Sequence, residues 1–383
     1  MKLLHLADLH LGKNVNGLPM IDNQRHVLNE AIELCKKDGI RHIIISGDVY
    51  DRSIPPEDAV ALLNNFLSQA VLEEKIKVYM IPGNHDSKER LSCFNDILEK
   101  QGLFIDSHIN KDLSMAKHAI KEEGLTINIY SLPYLFPVDV RQLSGDDSIK
   151  DFESAVSKVL QSNQLNKDEI NILNTHYFVT GEDEPIRSDS EVRTSVGTIE
   201  QISYRVFDDY DYVALGHLHC PQHIGRESIR YAGSPLRYSV DEIKQNKVFT
   251  IVDIKGKGDI SIKKIPIVPL YAFEELEGTV DELTIDSAQI DNRILFFKLT
   301  DTTIVSNAAA RLKIKYPHYV GLTYVNISND YTDEETALNK VEGFDELTTD
   351  EQFDKFYQFI NQKEMNDLQK DIIKQIVDEM EDN

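Results

Sequence analysis

Short aliphatic runs, each followed by a polar turn, limit most strongly what this chain can fold into. The runs are Lys2–Ala7, Arg41–Ser46, Lys77–Pro82, Asn171–Thr175 and Tyr212–Leu215. Near-continuous apolar runs of this length predict strands that are buried on both faces of a sheet. Between the first three runs, apolar residues recur at helical spacing, over Gln24–Lys37 and Asp58–Leu72. Alternating strands and helices predict a layered α/β domain with helices packed against a sheet.

After these alternating strands and helices, the sequence predicts mainly strands and then a smaller second unit. Three further segments read as strands, namely Ser228–Tyr231, Val248–Ile254 and Asp259–Ile265. Two prolines then interrupt Ile265–Leu270, so the first domain is expected to span residues 1–268. A smaller α/β unit is expected over residues 269–340. Its predicted elements are a strand over Arg293–Leu299, a helix over Asn307–Lys315 and a strand over Val320–Val325.

The last part of the chain, residues 341–383, is acidic and carries two apolar stripes at helical spacing. The first stripe is Phe353, Phe356, Tyr357 and Ile360. The second stripe is Leu368, Ile372, Ile373, Ile376, Val377 and Met380. Two amphipathic helices at this position either fold back on their own protein or dock on a partner, and periodicity alone does not distinguish the two.

The overall composition is that of a globular chain, and its charge constrains how it can bind nucleic acid. No apolar run has the length of a membrane span, and the three cysteines are widely separated, which together predict a cytoplasmic protein without disulfides. The formal net charge is −24. Because neutralising phosphates supplies most of the affinity for DNA, an acidic chain either has another substrate or relies on a local basic groove or a partner subunit.

Five polar clusters follow the predicted strands of the first domain. They are Asp8-Leu9-His10, Gly47-Asp48, Gly83-Asn84-His85-Asp86, His176 and Gly216-His217-Leu218-His219. In α/β sheets ligands bind at the carboxyl ends of the strands, so the clusters are expected to converge. Carboxylate, imidazole and amide ligands suit manganese, iron, zinc or magnesium.

The spacing within the clusters supports a metal site. Side chains two residues apart on an extended segment point the same way, so Asp8 and His10 can face one ion, and so can His217 and His219. Asp48 is the natural shared ligand, because a carboxylate has two oxygens. The remaining histidines are expected to be ordinary surface or core residues: His5, His26, His42, His108, His118, His223 and His318.

The ordered set DLH, GDVYD, GNHD, H and GHLH resembles the motifs of the calcineurin-like metallophosphoesterases. Three longer segments resemble one branch of that family, the bacterial SbcD nucleases, which are counterparts of the double-strand-break repair nuclease of archaea and eukaryotes. These segments are LLHLADLHLGK from Leu3, GDVYDRSIPP from Gly47 and YAGSPLRYSVDE from Tyr231. The resemblance implies a sandwich of two central sheets flanked by helices, a small α+β capping domain and C-terminal helices.

The resemblance also implies roles for individual residues. One metal would be held by Asp8, His10, Asp48 and His219, and the other by Asp48, Asn84, His176 and His217. Two divalent ions, manganese first and magnesium as the alternative, would generate the hydroxide that attacks the phosphodiester. His85 would be the catalytic histidine, protonating the leaving group. Asp51 would orient His85, or else simply cap a turn or bind solvent.

The expected partners follow from the same resemblance. SbcD-type nucleases act as 3′–5′ exonucleases on double-stranded DNA and as endonucleases on single strands and hairpins, in DNA repair, recombination and replication. They work as homodimers with an SbcC-type ABC ATPase, which they engage through their C-terminal helices. This chain has no GxxxxGK[ST] loop, so any ATP dependence has to come from such a partner.

Two other functions remain open at this stage. A metallophosphatase or phosphodiesterase acting on a substrate other than DNA would use the same metal motifs. A binding subunit with a vestigial metal site would need only the scaffold, although all the expected ligand positions are intact.

Overall fold

A computed structural model describes residues 1–122, 124–191, 201–285 and 290–327, together with the short stretches 348, 353–354, 357, 364–366, 369–370, 372–374 and 377. The chain forms two compact units. The first contains Met1–Leu276, Thr284–Phe297 and Ala309–Leu322, and the second contains Glu277–Leu283, Lys298–Ala308 and Thr323–Asn383. Most of residues 341–383, where the two amphipathic helices are expected, lies outside the described residues.

The strands of the described residues follow one another along the chain. They are β1 (Lys2–Leu6), β2 (Asn14–Val15), β3 (Leu18–Pro19), β4 (His42–Ser46), β5 (Lys77–Ile81), β6 (Leu103–Ile105), β7 (Ala116–Glu122), β8 (Leu125–Leu132), β9 (Ile170–His176), β10 (Val179–Thr180), β11 (Ile202–Ser203), β12 (Tyr212–Gly216), β13 (Gln222–Ile224), β14 (Arg226–Tyr231), β15 (Val248–Gly256), β16 (Asp259–Pro266), β17 (Phe273–Gly278), β18 (Ile294–Leu299) and β19 (Tyr319–Tyr324).

The α-helices lie between these strands. They are α1 (Ile21–Asp38), α2 (Glu57–Ser68), α3 (Lys88–Leu91), α4 (Asn95–Leu98), α5 (Pro137–Ser144), α6 (Phe152–Gln161), α7 (Val280–Thr284) and α8 (Ala308–Lys315). A π-helical turn over Gln69–Glu73 continues α2, and 3₁₀ turns cover Glu99–Gln101, Tyr204–Phe207 and Val240–Lys244.

Two six-stranded sheets form the centre of the first unit. Their strand orders are β16-β15-β1-β4-β5-β6 and β13-β14-β12-β9-β8-β7. In the first sheet β1, β4, β5 and β6 are parallel, and in the second sheet β8, β9, β12 and β14 are parallel. The remaining pairs are antiparallel and lie toward the edges. Parallel strands bring their carboxyl ends to one edge of each sheet.

Three apolar cores separate the layers. One core combines Leu3 and Ile44 of the first sheet with Ile127 and Ile172 of the second, so the two sheets face each other. Successive strand residues point to opposite faces. Leu4 therefore faces the other way and packs in a core that includes residues of α1 and α2. Residues of α5 and α6 cover the outer face of the second sheet. This confirms the predicted sandwich of two sheets flanked by helices.

A third, smaller sheet has the order β17-β18-β19. Its buried residues Phe273, Ile294 and Val320 belong to the same apolar core as α1. The strand, helix and strand predicted for this region correspond to β18, α8 and β19, with ends that differ by one residue. The domain limits at residues 268 and 340 stay predictions.

Two expectations from composition can be compared with the structure. Cys35, Cys93 and Cys220 form no disulfide with one another in the structure. Within the ranges given above, no helix combines the length and apolar character needed to cross a membrane.

Candidate metal centre

The five polar clusters lie at the carboxyl ends of β1, β4, β5, β9 and β12, where the two sheets approach each other. The turn after β1 is tied to the turn after β4 by backbone hydrogen bonds. The amide of Asp8 donates to the carbonyl of Gly47 (3.1 Å), and the amide of His10 donates to the carbonyl of Asp48 (2.9 Å). Across the sandwich, the amide of His217 donates to the Asp8 carboxylate (2.8 Å). These bonds bring the clusters into one site.

The backbone of the site is strained. Asp8, His10, Asp48 and His217 have φ angles of 52°, 44°, 48° and 109°, a region that residues with a side chain rarely adopt. Each such residue costs on the order of 1–3 kcal/mol and persists only where the surroundings hold it. The strain therefore coincides with the residues that the sequence singles out.

At two of the glycines in the motifs, the absence of a side chain lets another segment of this chain approach closely. A Cβ added to Gly83 would lie 2.1 Å from Asp48 Oδ1, and one added to Gly216 would lie 1.9 Å from the carbonyl oxygen of Ser46. Both distances are far below van der Waals contact, so neither position admits a side chain. Gly47 has the additional feature of a φ angle of 82°.

Asp8, His10 and His219 make up what we call the first ligand group. Their ligating atoms all lie within 4.8 Å of one another, and each residue is at most 1% exposed. The Nε2 atoms of His10 and His219 face each other at 3.1 Å. Asp48 Oδ2 lies 3.7 Å from His10 Nε2.

Asn84, His176 and His217 make up the second ligand group. Asn84 Oδ1 lies 3.0 Å from His176 Nε2 and 3.2 Å from His217 Nδ1. Asp48 Oδ2 lies 3.2 Å from His176 Nε2. The same oxygen of Asp48 thus faces both ligand groups.

The donor atoms fit a pair of divalent cations. Asp8 Oδ2 is buried and has no hydrogen-bond partner in the part of the chain that the structure describes. Two ligands at right angles on a cation with bonds of about 2.1 Å lie about 3.0 Å apart. The His10–His219 separation of 3.1 Å matches this value, and so do the distances within the second ligand group. Mixed oxygen and imidazole donors suit manganese, iron, zinc or magnesium.

Burial and mutual proximity shift the pKa values of these groups in the metal-free chain. Burial raises the pKa of Asp8 to about 7. Burial alone would raise the pKa of Asp48, but the charge and hydrogen bond of His176, together with the charges of His85 and His10, outweigh burial and hold that pKa well below its usual range. His176 responds in the opposite sense: burial favours its neutral form, yet Asp48 raises its pKa to about 9. Metal binding therefore has to displace a proton from this pair.

His85 lies beside the two ligand groups without belonging to either. Its Nε2 is 4.0 Å from Asp48 Oδ2, and its side chain is 14% exposed, which leaves the ring accessible from the cleft. Its Nδ1 lies 2.8 Å from the backbone carbonyl oxygen of Asp51, and its backbone amide donates to Asp48 Oδ1 (3.0 Å). With Nδ1–H donated to that carbonyl, Nε2 is the atom that faces the site.

Asp51 meets His85 through its backbone and not through its carboxylate. The Asp51 carboxylate pairs instead with Lys13 Nζ at 2.8 Å and lies 3.6 Å from His10 Nδ1. Asp51 thus contacts His85 only through its backbone carbonyl, an atom that any residue type would supply.

Several residues that shape the site were not identified from the sequence. The Asp86 carboxylate accepts hydrogen bonds from the backbone amides of Val49, Tyr50 and Gly83, which joins the turns after β4 and β5. Its position inside GNHD was the available signal. Tyr238 donates to the carbonyl of Leu9 and places its ring 5.7 Å from that of His10.

Comparison with known proteins agrees with this geometry. Residues 1–221 match the calcineurin-like phosphoesterase family. The chain belongs to this family. Its members are phosphoesterases, so the chain is a metal-dependent hydrolase of ester bonds, and the clustered Asp, His and Asn side chains are its candidate metal ligands.

Solved structures of low sequence identity also match part of this chain. The protein TT1561 of Thermus thermophilus is 12% identical, with a TM-score of 0.39, and the match covers 69% of this chain and 98% of that one. A dimetal phosphatase from Danio rerio is 11% identical (TM-score 0.38; 70% and 96% covered), and the phosphoesterase YfcE from E. coli is 13% identical (TM-score 0.27; 70% and 100% covered). Similarity at this level carries no information about the substrate.

Proposed function

We propose that this chain is a DNA nuclease subunit of the SbcD type, which hydrolyses phosphodiesters with two divalent cations and works with an SbcC-type ATPase in the cytoplasm. The observation that carries the proposal is the position of Asp48, whose Oδ2 faces both ligand groups while His85 Nε2 lies 4.0 Å away. Two adjacent cation sites beside an accessible imidazole are the components that phosphodiester hydrolysis requires.

In this proposal the first cation is held by Asp8, His10, Asp48 and His219. The second is held by Asp48, Asn84, His176 and His217. When bound, such a pair supplies Lewis-acid chemistry, offsetting the charge of the phosphate oxygens and lowering the pKa of water. Manganese is the first candidate for both ions and magnesium the second, since the donors are oxygen and imidazole.

His85 delivers a proton to the leaving oxygen of the scissile phosphodiester. The carbonyl of Asp51 fixes its Nδ1–H, so Nε2 is directed into the cleft. A DNA leaving group is an alkoxide and needs a proton as the P–O bond breaks. A positioned imidazole contributes roughly 10²–10⁴-fold to such a step. Asp51 thus acts as a positioning residue through its backbone.

We prefer DNA as the substrate because three segments of the chain resemble the SbcD branch. Residues from all three segments lie around the candidate metal ligands. In the segment from Leu3, Lys13 pairs with Asp51, which belongs to the segment from Gly47. In the segment from Tyr231, Tyr238 contacts the carbonyl of Leu9, and Glu242 contacts His219. These contacts next to the candidate metal ligands support the proposal that the chain belongs to the nuclease branch.

The assembly proposed for this chain accounts for its acidity. With a net charge of −24, the subunit would depend on the ATPase for most of its positive DNA-binding surface. Residues 341–383 would form the helices that bind the ATPase, residues 269–340 a capping domain that guides DNA, and the nuclease domain a homodimer, giving two copies of each subunit in the complex.

Hydrolysis assays with the purified chain and manganese separate this function from a phosphatase. We expect cleavage of single-stranded DNA and of a chromogenic phosphodiester, and little hydrolysis of the matching phosphomonoester. Exclusive hydrolysis of the monoester would support a phosphatase instead. Reconstitution with an SbcC-type ATPase, using His85→Ala as the matched control, tests whether cleavage by the complex comes from this active site or whether the chain only organises its partner.

A chain ending at residue 340 tests the assembly separately. We expect it to retain manganese-dependent hydrolysis of the chromogenic diester and to lose co-elution with the ATPase in gel filtration. Retained co-elution would contradict the role proposed for residues 341–383.

A further inference from the structure

His219 differs from the other histidines of the metal centre in what holds the ring nitrogen that faces away from the site. Its Nδ1 lies 3.0 Å from Glu242 Oε1 and 2.7 Å from Ser190 Oγ. The corresponding atom of His176 contacts a neutral group, the carbonyl oxygen of Ser46, at 2.7 Å. The Nδ1 of His10 has no hydrogen-bond partner within the described ranges. Among the described residues, His219 is the only member of the first ligand group whose ring is fixed by a hydrogen-bonded carboxylate.

Glu242 is itself held on both of its oxygens and is fully buried. Its Oε2 accepts a hydrogen bond from Lys247 Nζ at 2.7 Å, and its Oε1 accepts one from Ser239 Oγ at 3.1 Å. Lys247, only 7% exposed, also donates to the carbonyl of His219 and to Ser234 Oγ, both at 2.8 Å. The carboxylate therefore has little freedom to rotate.

A second segment, which contains Ser190 and Glu191, also contacts His219. The hydroxyl of Ser190 donates to Glu242 and accepts from His219 Nδ1. The carboxylate of the next residue, Glu191, accepts from the backbone amide of His219 at 2.7 Å. Ring and backbone of His219 are thus held by segments that are distant from it in sequence.

A buried ion pair contributes little net stability, because removing both charges from water costs about as much as their attraction returns. Glu242 and Lys247 therefore call for an explanation other than stability. Histidine metal ligands commonly donate their second ring N–H to a carboxylate, which fixes the tautomer and makes the ligating nitrogen more basic. The contact between Glu242 and His219 has this form.

We propose that Glu242 is a positioning residue of the metal centre: it accepts the Nδ1–H of His219 and so leaves the lone pair of Nε2 directed at the cation of the first ligand group. Lys247 balances the charge of Glu242 and holds it in place, and Ser190 completes the contact. This rests on the cation pair of the proposed function and not on DNA being the substrate.

Manganese titration of the full metal-free chain by calorimetry tests the proposal. We expect Glu242→Gln to weaken one manganese site about 10–100-fold, as loss of such a partner does, and to leave the other site unchanged. Wild-type affinity at both sites in the folded variant would overturn the proposal. If the wild-type chain bound no manganese, the proposed cation pair itself would fail, which is a distinct result.

A double variant separates positioning from structural support. Glu242→Gln with Lys247→Met replaces the ion pair by neutral side chains of similar size, so the thermal stability of the metal-free chain is expected to recover toward the wild-type value. The proposal predicts that the manganese affinity stays weak in this variant. Recovery of stability and affinity together would mean that Glu242 only supports the fold.

The unsubstituted protein offers a test that does not depend on how a variant folds. Nitrogen-15 NMR of histidine-labelled, metal-free chain reports which ring nitrogen carries the proton. We expect His219, assigned by its loss in His219→Gln, to be protonated at Nδ1. Protonation at Nε2 alone would contradict the proposal.

Discussion

The two ligand groups are built by different means, although they share Asp48 and lie side by side. The first ligand group is fixed by side chains: Glu242 and Ser190 hold His219. In the second ligand group, His176 is fixed by a backbone carbonyl and surrounded by glycines. A Cβ on Gly47 or on Gly216 would lie 2.5 Å or 2.7 Å from His176 Nδ1. The first ligand group thus depends on hydrogen bonds from surrounding side chains, whereas the second depends on glycines that leave room for His176.

The groups also differ in charge. The first contains the carboxylate of Asp8, whereas the second contains only the neutral amide of Asn84 beside its two histidines. Charge interactions are strong in a buried environment. We therefore expect the first ligand group to bind its cation more tightly than the second, and stepwise manganese binding follows from this difference.

The largest effect is expected from substitution of Asp48, the residue that faces both ligand groups. Asp48→Ala should abolish binding of both manganese ions in a calorimetric titration, since Asp48 Oδ2 faces both sites. Hydrolysis of the phosphodiester should fall by roughly 10⁴-fold or more, equivalent to about 5.5 kcal/mol in activation free energy. Retention of one tightly bound ion would show that the two sites do not share Asp48.

Removing His85 should leave both groups intact and affect only the chemical step. His85→Ala is expected to slow DNA cleavage by roughly 10³-fold while two manganese ions still bind. The loss should be much smaller with a p-nitrophenyl diester, whose leaving group needs no proton. An equal loss with both substrates would contradict the role as proton donor, and empty metal sites would contradict its place outside the ligand groups.

The dependence of the second group on glycine predicts a selective loss. Gly216→Ala forces a Cβ to within 1.9 Å of the Ser46 carbonyl and 2.7 Å of His176 Nδ1. We expect destabilisation by roughly 1–3 kcal/mol in chemical denaturation, together with loss of the weaker manganese site. Gly256→Ala is the matched control, because a Cβ there meets no atom of the described residues within 4 Å. Loss of the tighter manganese site instead would contradict the claim that it is the second ligand group that depends on glycine.

The smallest effect tests the difference in charge directly. Asn84→Asp adds a carboxylate to the second ligand group without a change in size. The weaker manganese site should tighten by roughly tenfold, or about 1.4 kcal/mol, which brings the two affinities closer together. Unchanged or weaker binding at that site would mean that charge does not set the order of binding.

The polar residues that the sequence singled out and that lie together in the structure share one property. Asp8, Asp48, Asn84 and His217 follow a strand and His176 ends one, and parallel strands place their carboxyl ends together. Local sequence patterns were therefore enough to predict that these residues lie close together, because the topology places the carboxyl ends of the parallel strands side by side.

What the sequence did not reveal depends on contacts between distant segments. Glu242 lies in a short 3₁₀ turn, Lys247 and Ser190 lie outside the strands and helices, and the roles of all three follow only from their meeting at His219. Strand β7 was missed for a related reason: it is an edge strand, AKHAIKE, with mostly polar residues and no aliphatic run. Edge strands need little apolar surface and so leave a weak pattern.

Anomalous scattering from crystals soaked in manganese tests the central claim most directly. The account predicts two peaks about 3.5–4 Å apart, with Asp48 Oδ2 between them and the two ligand groups on either side. A single peak, or two peaks that Asp48 does not join, would contradict it.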